Sequence, residues 1–64
     1  MDLTGYIGYT KDEVLKILNE NNLTYTIVEF EDNKFFDTLL LVKFEQRSNG
    51  EYVLYFDRFK LNLR

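Results

Sequence analysis

One amphipathic helix is predicted near the N-terminus, and it limits the folds that are open to the rest of the chain. Thr10 and Glu13 have the spacing of a capping box, in which each side chain accepts a hydrogen bond from the other residue's backbone amide. Apolar residues then follow at helical spacing, namely Val14, Leu15, Ile17 and Leu18. Asn21 and Asn22 favour a helix C-terminus, because Asn tolerates the left-handed conformation. The pattern predicts a helix over residues 11–21.

The segments that follow the helix favour β-strands. Residues 24–30 are β-branched and aromatic, and a second strand is predicted over residues 38–46. Asn49 and Gly50 form a strong hairpin signal, because both central residues of a two-residue turn must accept positive φ. The chain then continues from Tyr52 either as one long strand with a bulge or as two short strands.

These elements predict an α+β fold with one helix packed on a mainly antiparallel sheet of three to four strands, in the order (β)-α-β-β-β. The optional first strand would lie within residues 3–7. The chain of 64 residues is expected to form one small domain with a marginal core. It has no apolar run near the ~20 residues that span a bilayer, and no signal-peptide pattern at its start, so a cytoplasmic location without membrane contact is expected.

Composition argues against most kinds of chemistry. The chain has no Cys and no His, which removes thiolate nucleophiles, imidazole bases, zinc fingers and haem ligation. The cluster of Glu29, Glu31 and Asp32 is the remaining candidate for acid–base work, and it lies in a polar turn. Neither a calcium loop nor a glycine-rich phosphate loop is present. We therefore expect a protein that is not an enzyme and that uses no cofactor and no metal.

The hairpin pattern also predicts which face of the sheet is open. A two-residue turn at Asn49 and Gly50 would place Phe44 opposite Tyr55 and turn both toward the helix. One helix covers only one face of such a sheet, so the opposite face is expected to be uncovered. That face would present a mixture of apolar, aromatic and basic side chains, which are Leu41, Lys43, Tyr52, Leu54, Phe56 and Arg58.

Exposed aromatic residues beside Arg and Lys are typical of protein interfaces. We therefore predict non-catalytic binding of a protein partner through this face, in a small inhibitor or regulator. Phe35 and Phe36 are second candidates for contact. Two alternatives remain open, namely single-stranded nucleic-acid binding and homodimer formation through the same face. The formal charge of −3 makes nucleic acid the less favoured partner.

Residues 7–28 resemble two known families. The Gly8-x-Thr10 helix start, followed by an apolar helix and a strand, is similar to small peptidase inhibitors of the potato inhibitor I type. PASTA modules, which accompany bacterial cell-wall enzymes and kinases, begin with a similar Gly-x-Ser/Thr helix. The first resemblance implies an exposed reactive loop at about residues 31–38, with Phe35 and Phe36 as the projecting side chains. Both resemblances imply a binding module.

The face assignment makes a direct prediction for Phe56. If Phe56 lies on an uncovered binding face, Phe56→Asp abolishes partner binding and leaves the helical signal in far-UV circular dichroism unchanged. Loss of the fold in that variant would instead show that Phe56 lies in the core and that the two faces are exchanged.

Overall fold

The computed structural model describes residues 2–31 and 36–60, and its elements follow the predicted order. They are a 3-10 turn at Thr4–Tyr6, helix α1 at Lys11–Glu20, and strands β1 at Tyr25–Glu29, β2 at Thr38–Gln46 and β3 at Tyr52–Phe59. The prediction of an α+β fold with one helix on a sheet of three to four strands is confirmed, and the sheet has three strands. The optional strand within residues 3–7 is wrong, because the 3-10 turn occupies that segment.

Both ends of α1 have the caps that the sequence predicts. The Thr10 hydroxyl accepts from the Glu13 amide at 3.3 Å, and the Glu13 carboxylate accepts from the Thr10 amide at 2.9 Å. At the other end Asn22 has φ of 57°, and the Leu23 amide donates to the Leu18 carbonyl at 3.0 Å. This is a Schellman motif, in which a left-handed residue lets the chain turn back and satisfy a terminal carbonyl.

The sheet is mixed and has β3 at its centre. The strand order is β1-β3-β2, with β3 parallel to β1 and antiparallel to β2. A short N-terminal segment lies along the far edge of β2. There the Gly8 amide donates to the Leu41 carbonyl at 2.8 Å, and the Leu41 amide donates to the Tyr9 carbonyl at 2.9 Å. The two edges of the sheet therefore differ, since part of the β2 edge is covered by the chain itself.

The turn between β2 and β3 is one residue longer than the sequence predicts. The Arg47 amide donates to the Glu51 carbonyl at 2.8 Å, and the Gly50 amide donates back to the Arg47 carbonyl at 2.9 Å. Residues 48–50 thus form a three-residue loop that ends on Gly50, whose φ is 91°. Phe44 consequently lies opposite Leu54 and not opposite Tyr55. A shift of one residue moves every side chain of a strand to the other face.

β2 also contains an irregularity that the sequence pattern does not reveal. Its register with β3 shifts between Leu41 and Lys43, as in a β-bulge. Because of this shift both Leu41 and Phe44 lie on the face that packs on α1, although they are three residues apart. β3 itself is one continuous strand from Tyr52 to Phe59, so it is not divided into two short strands. The irregularity in the hairpin lies in β2.

The core lies between α1 and the inner face of the sheet, which we define as the face that α1 covers. Its buried residues come from the N-terminal segment, α1, β2 and β3, with Tyr25 and Ile27 of β1 packed against them, and are Leu3, Val14, Leu18, Leu41, Tyr52, Leu54 and Phe56. The prediction that Leu41, Tyr52, Leu54 and Phe56 form an uncovered face is therefore wrong, because none of them is more than 1% exposed. Those side chains hold the fold together and offer no surface to a partner.

We expect truncation of Phe56 and of Phe59, two phenylalanines of one strand, to destabilise the protein to very different extents. Phe56→Ala empties a fully buried site and is expected to cost about 3–5 kcal/mol, comparable to the whole stability of a domain of this size. Phe59→Ala removes a side chain that is 38% exposed and is expected to cost less than about 1 kcal/mol. Urea denaturation followed by circular dichroism measures both. Equal costs, or a larger cost for Phe59→Ala, would contradict the observed register.

Candidate functional site

The face of the sheet opposite α1 is the candidate functional site, and we call it the outer face. Its principal side chains come from all three strands and their ends and are Val28, Phe30, Leu40, Lys43, Tyr55 and Phe59. Within the described residues, α1 and Leu3, which precedes the 3-10 turn, both pack on the inner face. Phe30 and Phe59 are each 38% exposed, so two large apolar side chains form part of this surface.

Tyr55 is the centre of the outer face and contacts three of its neighbours. Its ring stacks on Phe30 with centroids 6.0 Å apart and planes 18° from parallel. The Lys43 ammonium lies 5.1 Å from the same ring centroid, within the range of a cation–π contact. The Tyr55 hydroxyl donates to the Glu45 carboxylate at 2.9 Å. These contacts order one aromatic surface before any partner is bound.

The charges on the outer face are paired. The Lys43 ammonium lies 3.5 Å from a Glu45 carboxylate oxygen. The hydrogen bond from Tyr55, followed by the charge of Lys43, holds the pKa of Glu45 below its ordinary value, and the same hydrogen bond raises the pKa of Tyr55. Both groups therefore keep their protonation states at neutral pH. Asp57 also lies on this face, opposite Leu40, so the face has no excess of positive charge.

The remaining predicted contact residues are dispersed. Lys43 lies exposed on the outer face, because the bulge in β2 separates it from Leu41. Arg58 is half-buried at the end of β3, and its guanidinium lies 3.8 Å from the Glu29 carboxylate. Phe36 is 37% exposed just before β2. Phe35 lies outside the described residues, as does part of the predicted reactive loop at residues 31–38.

The sequence-based prediction missed the aromatic residues that are exposed. A two-residue turn places Tyr55 on the covered face, and the sequence pattern singles out neither Phe30 nor Phe59. With a three-residue turn the same alternation along β3 places Tyr55 and Phe59 outside. The alternation along β3 is thus visible in the sequence, and the length of the turn determines which of its two sets of side chains faces outward.

A second polar cluster joins the start of α1 to the end of β1. The Lys11 ammonium donates to the Glu29 carboxylate at 2.6 Å, and Arg58 approaches the same carboxylate from β3. The hydrogen bond from Lys11 is the largest of the effects that hold the pKa of Glu29 below its ordinary value, against a smaller opposing effect of desolvation. The cluster connects three elements at one end of the inner face.

Two open depressions lie near this cluster. One, of about 440 Å³, is lined by Thr10, Lys11, Asp12, Asp37, Thr38 and Leu39. The other, of about 490 Å³, is lined by Glu29, Phe30, Glu31 and Arg58. Several of their polar groups already have partners, since Thr10 caps α1, Thr38 donates to Asp37 and Glu29 pairs with Lys11. Among residues 2–31 and 36–60, no three carboxylates lie together in an arrangement that could hold a metal ion.

Comparison of the chain with protein-family models, curated proteins and solved structures finds no match in any of the three. In the part of the chain that the structure describes, no helix has the length and apolar character needed to cross a membrane. The geometry and charge of the outer face are therefore the basis on which a function is assigned.

The Glu29 cluster predicts how stability depends on pH. A carboxyl group whose pKa is lowered by folding stabilises the protein above its ordinary pKa of 4.5 and loses that contribution as the pH falls through the lowered value. Glu29→Gln is thus expected to lower the free energy of unfolding at neutral pH by less than about 1 kcal/mol, because the pair is one-third exposed.

The same variant should show a shallower loss of stability below about pH 4.5 than the wild-type protein, measured by urea denaturation at a series of pH values. The variant should still lose some stability in acid, because folding also lowers the pKa values of Asp2 and Glu45. An acid profile of Glu29→Gln that overlays the wild-type profile would show that the cluster contributes nothing to stability.

Proposed function

We propose that this protein is a non-catalytic protein-binding module and that the outer face is its contact surface. The observation that supports this most directly is the exposure of Phe30, which stacks on Tyr55, and of Phe59, four residues further along β3, on the sheet face that α1 leaves open. Aromatic residues are enriched in protein interfaces, where they bury a large area at a small cost in side-chain entropy. A regulator or inhibitor of another protein would use such a surface.

The pairings of Tyr55 also favour tight binding. Its ring is held by Phe30 and Lys43, and its hydroxyl is held by Glu45, before a partner arrives. Side chains that are already ordered lose less conformational entropy on association. Tyr55 is thus the expected centre of the interface, with Phe30 and Phe59 as its flanking anchors.

Nucleic acid fits this face less well than protein does. A single-strand platform needs unpaired cations beside its aromatic rings to follow the phosphates. Lys43 is balanced by Glu45, Arg47 lies 3.3 Å from Glu51, and Arg58 lies on the inner face beside Glu29. Lys43 and Arg58, which the sequence pattern groups on one face, therefore lie on opposite faces of the sheet.

The resemblance to potato inhibitor I peptidase inhibitors would place contacts on the connection between β1 and β2. Phe36 is exposed there, and Phe35 belongs to the same connection outside the described residues. An inhibitory contact through Phe36 is compatible with a module whose main surface is the outer face, since Phe30 leads into this connection from β1.

The proposal can be tested with a photo-crosslinking phenylalanine analogue placed at Phe30 or at Phe59. In cells that express the labelled protein, the analogue at either position is expected to cross-link to one and the same partner protein. An analogue at Ile7, which is 44% exposed and lies outside the three strands, provides the matched control and is expected to give no such product. The purified partner is then expected to bind Phe59→Ser at least about tenfold more weakly than wild type.

Two outcomes would contradict the proposal. One is equal cross-linking from Ile7 and from Phe59, which would indicate collisions without a specific face. The other is binding of a fluorescein-labelled oligothymidylate whose affinity falls steeply with salt, which would indicate a nucleic-acid platform. Binding that depends on buried aromatic surface is expected to change little with salt.

A further inference from the structure

The backbone of β1 pairs with β3 through every second residue. The Thr24 carbonyl accepts from the Tyr52 amide at 3.1 Å, and the Phe30 amide donates to the Phe56 carbonyl at 2.9 Å. In a strand, the amide and the carbonyl of one residue point to the same side, and those of the next residue point to the opposite side. Even-numbered residues of this segment therefore face β3, and odd-numbered residues face away.

Tyr25, Ile27 and Glu29 consequently direct their amides and carbonyls to the open edge of the sheet. No segment within residues 2–31 and 36–60 pairs with this edge, since β1 has β3 as its sole neighbour there. The β2 edge differs, because the segment containing Gly8 and Tyr9 covers part of it. Unpaired edge groups of this kind are a template for the addition of another strand.

β1 also lacks several of the features that usually protect an edge strand. It contains no Pro, no Lys, no Gly and no bulge, and it is rich in residues with high β-propensity. Its single charge, on Glu29, is drawn inward by Lys11 and Arg58, and the Tyr25 hydroxyl is held by Asn19 at 3.1 Å. Helix α1 lies closer to β2 than to β1, and it reaches β1 through the side chains of Lys11 and Asn19.

We propose that β1 pairs in antiparallel fashion with β1 of a second copy of this chain, about a two-fold axis at Ile27. The outward groups of Tyr25 then meet those of Glu29 in the second copy, and Ile27 meets its own equivalent. This register uses all three outward residues of each strand and forms about six hydrogen bonds between the copies. A shift of two residues in either direction would lose some of them.

The register is also compatible with the side chains. Thr26 lies opposite Val28 of the second copy on the outer face, which is a β-branched pair of the kind that stabilises sheets. The two Glu29 carboxylates are four residues apart along the strand direction, or about 13 Å, which exceeds the Debye length of about 8 Å at physiological salt. The only charge on β1 therefore does not repel its equivalent.

This pairing has a consequence for the shape of the molecule. A two-fold axis at Ile27 that is perpendicular to the sheet keeps both outer faces on the same side. The strands of the two copies would form one sheet in the order β2-β3-β1-β1-β3-β2, with two adjoining aromatic surfaces. The proposal rests on β1 and stands whether or not the outer face binds a partner.

The chain has no cysteine, so disulfide trapping can test this register directly. Thr26→Cys and Val28→Cys chains are mixed in a glutathione redox buffer at about 200 μM, where an interface of micromolar affinity is mostly occupied. The proposed register sets the Cα atoms of residue 26 and residue 28 of the second copy about 4.5 Å apart, within disulfide range. Residues of the same number are roughly 8 Å apart and too distant to be joined.

The amount of mixed disulfide is therefore expected to exceed the amount of each same-residue disulfide by at least about tenfold. Random collision of the two chains would give a mixed product only about twice as abundant as each same-residue product. Light scattering of the wild-type protein is expected to show a dimer at the same concentration. Phe59→Ser is a control on the outer face, and it is expected to retain the dimer. A random mixture of disulfides, a wild-type monomer, or loss of the dimer in Phe59→Ser would each overturn the proposal.

Discussion

The register of the β2–β3 hairpin is the constraint on which the rest of this structure depends. The three-residue loop that ends on Gly50 sets Phe44 opposite Leu54. That pairing places Tyr52, Leu54 and Phe56 under α1, and it places Tyr55 and Phe59 on the outer face. Because side chains alternate along a strand, a loop shorter by one residue would exchange the two sets.

The shift in β2 makes this register compatible with a continuous core. β2 carries four successive apolar residues, Leu39 to Val42, and strict alternation would place Leu41 and Phe44 on opposite faces. The irregularity between Leu41 and Lys43 places both on the inner face and leaves Lys43 outside, above Tyr55. One local distortion thus completes the core and supplies the cation of the outer face.

The sequence predicted the elements well, because their signals are local. The capping box at Thr10 and the left-handed Asn22 each involve contacts within a few residues, and both are observed. The faces depend on longer-range effects. An Asn-Gly pair is compatible with both a two-residue and a three-residue loop, and an uninterrupted apolar run in β2 has no alternation to show where a bulge lies. The parallel pairing of β1 with β3 likewise depends on contacts far apart in the chain.

The assignment of the two faces is tested most directly by nuclear Overhauser effects from the methyl groups of Val14 and Leu18. Both residues project from α1 into the core, and each is at most 1% exposed. The structure predicts cross-peaks from these methyl groups to the side chains of the inner-face cluster, above all Leu54 and Phe56. Cross-peaks from the same methyl groups to Tyr55 and Phe59, with none to Phe56, would contradict the register and with it the identity of the open face.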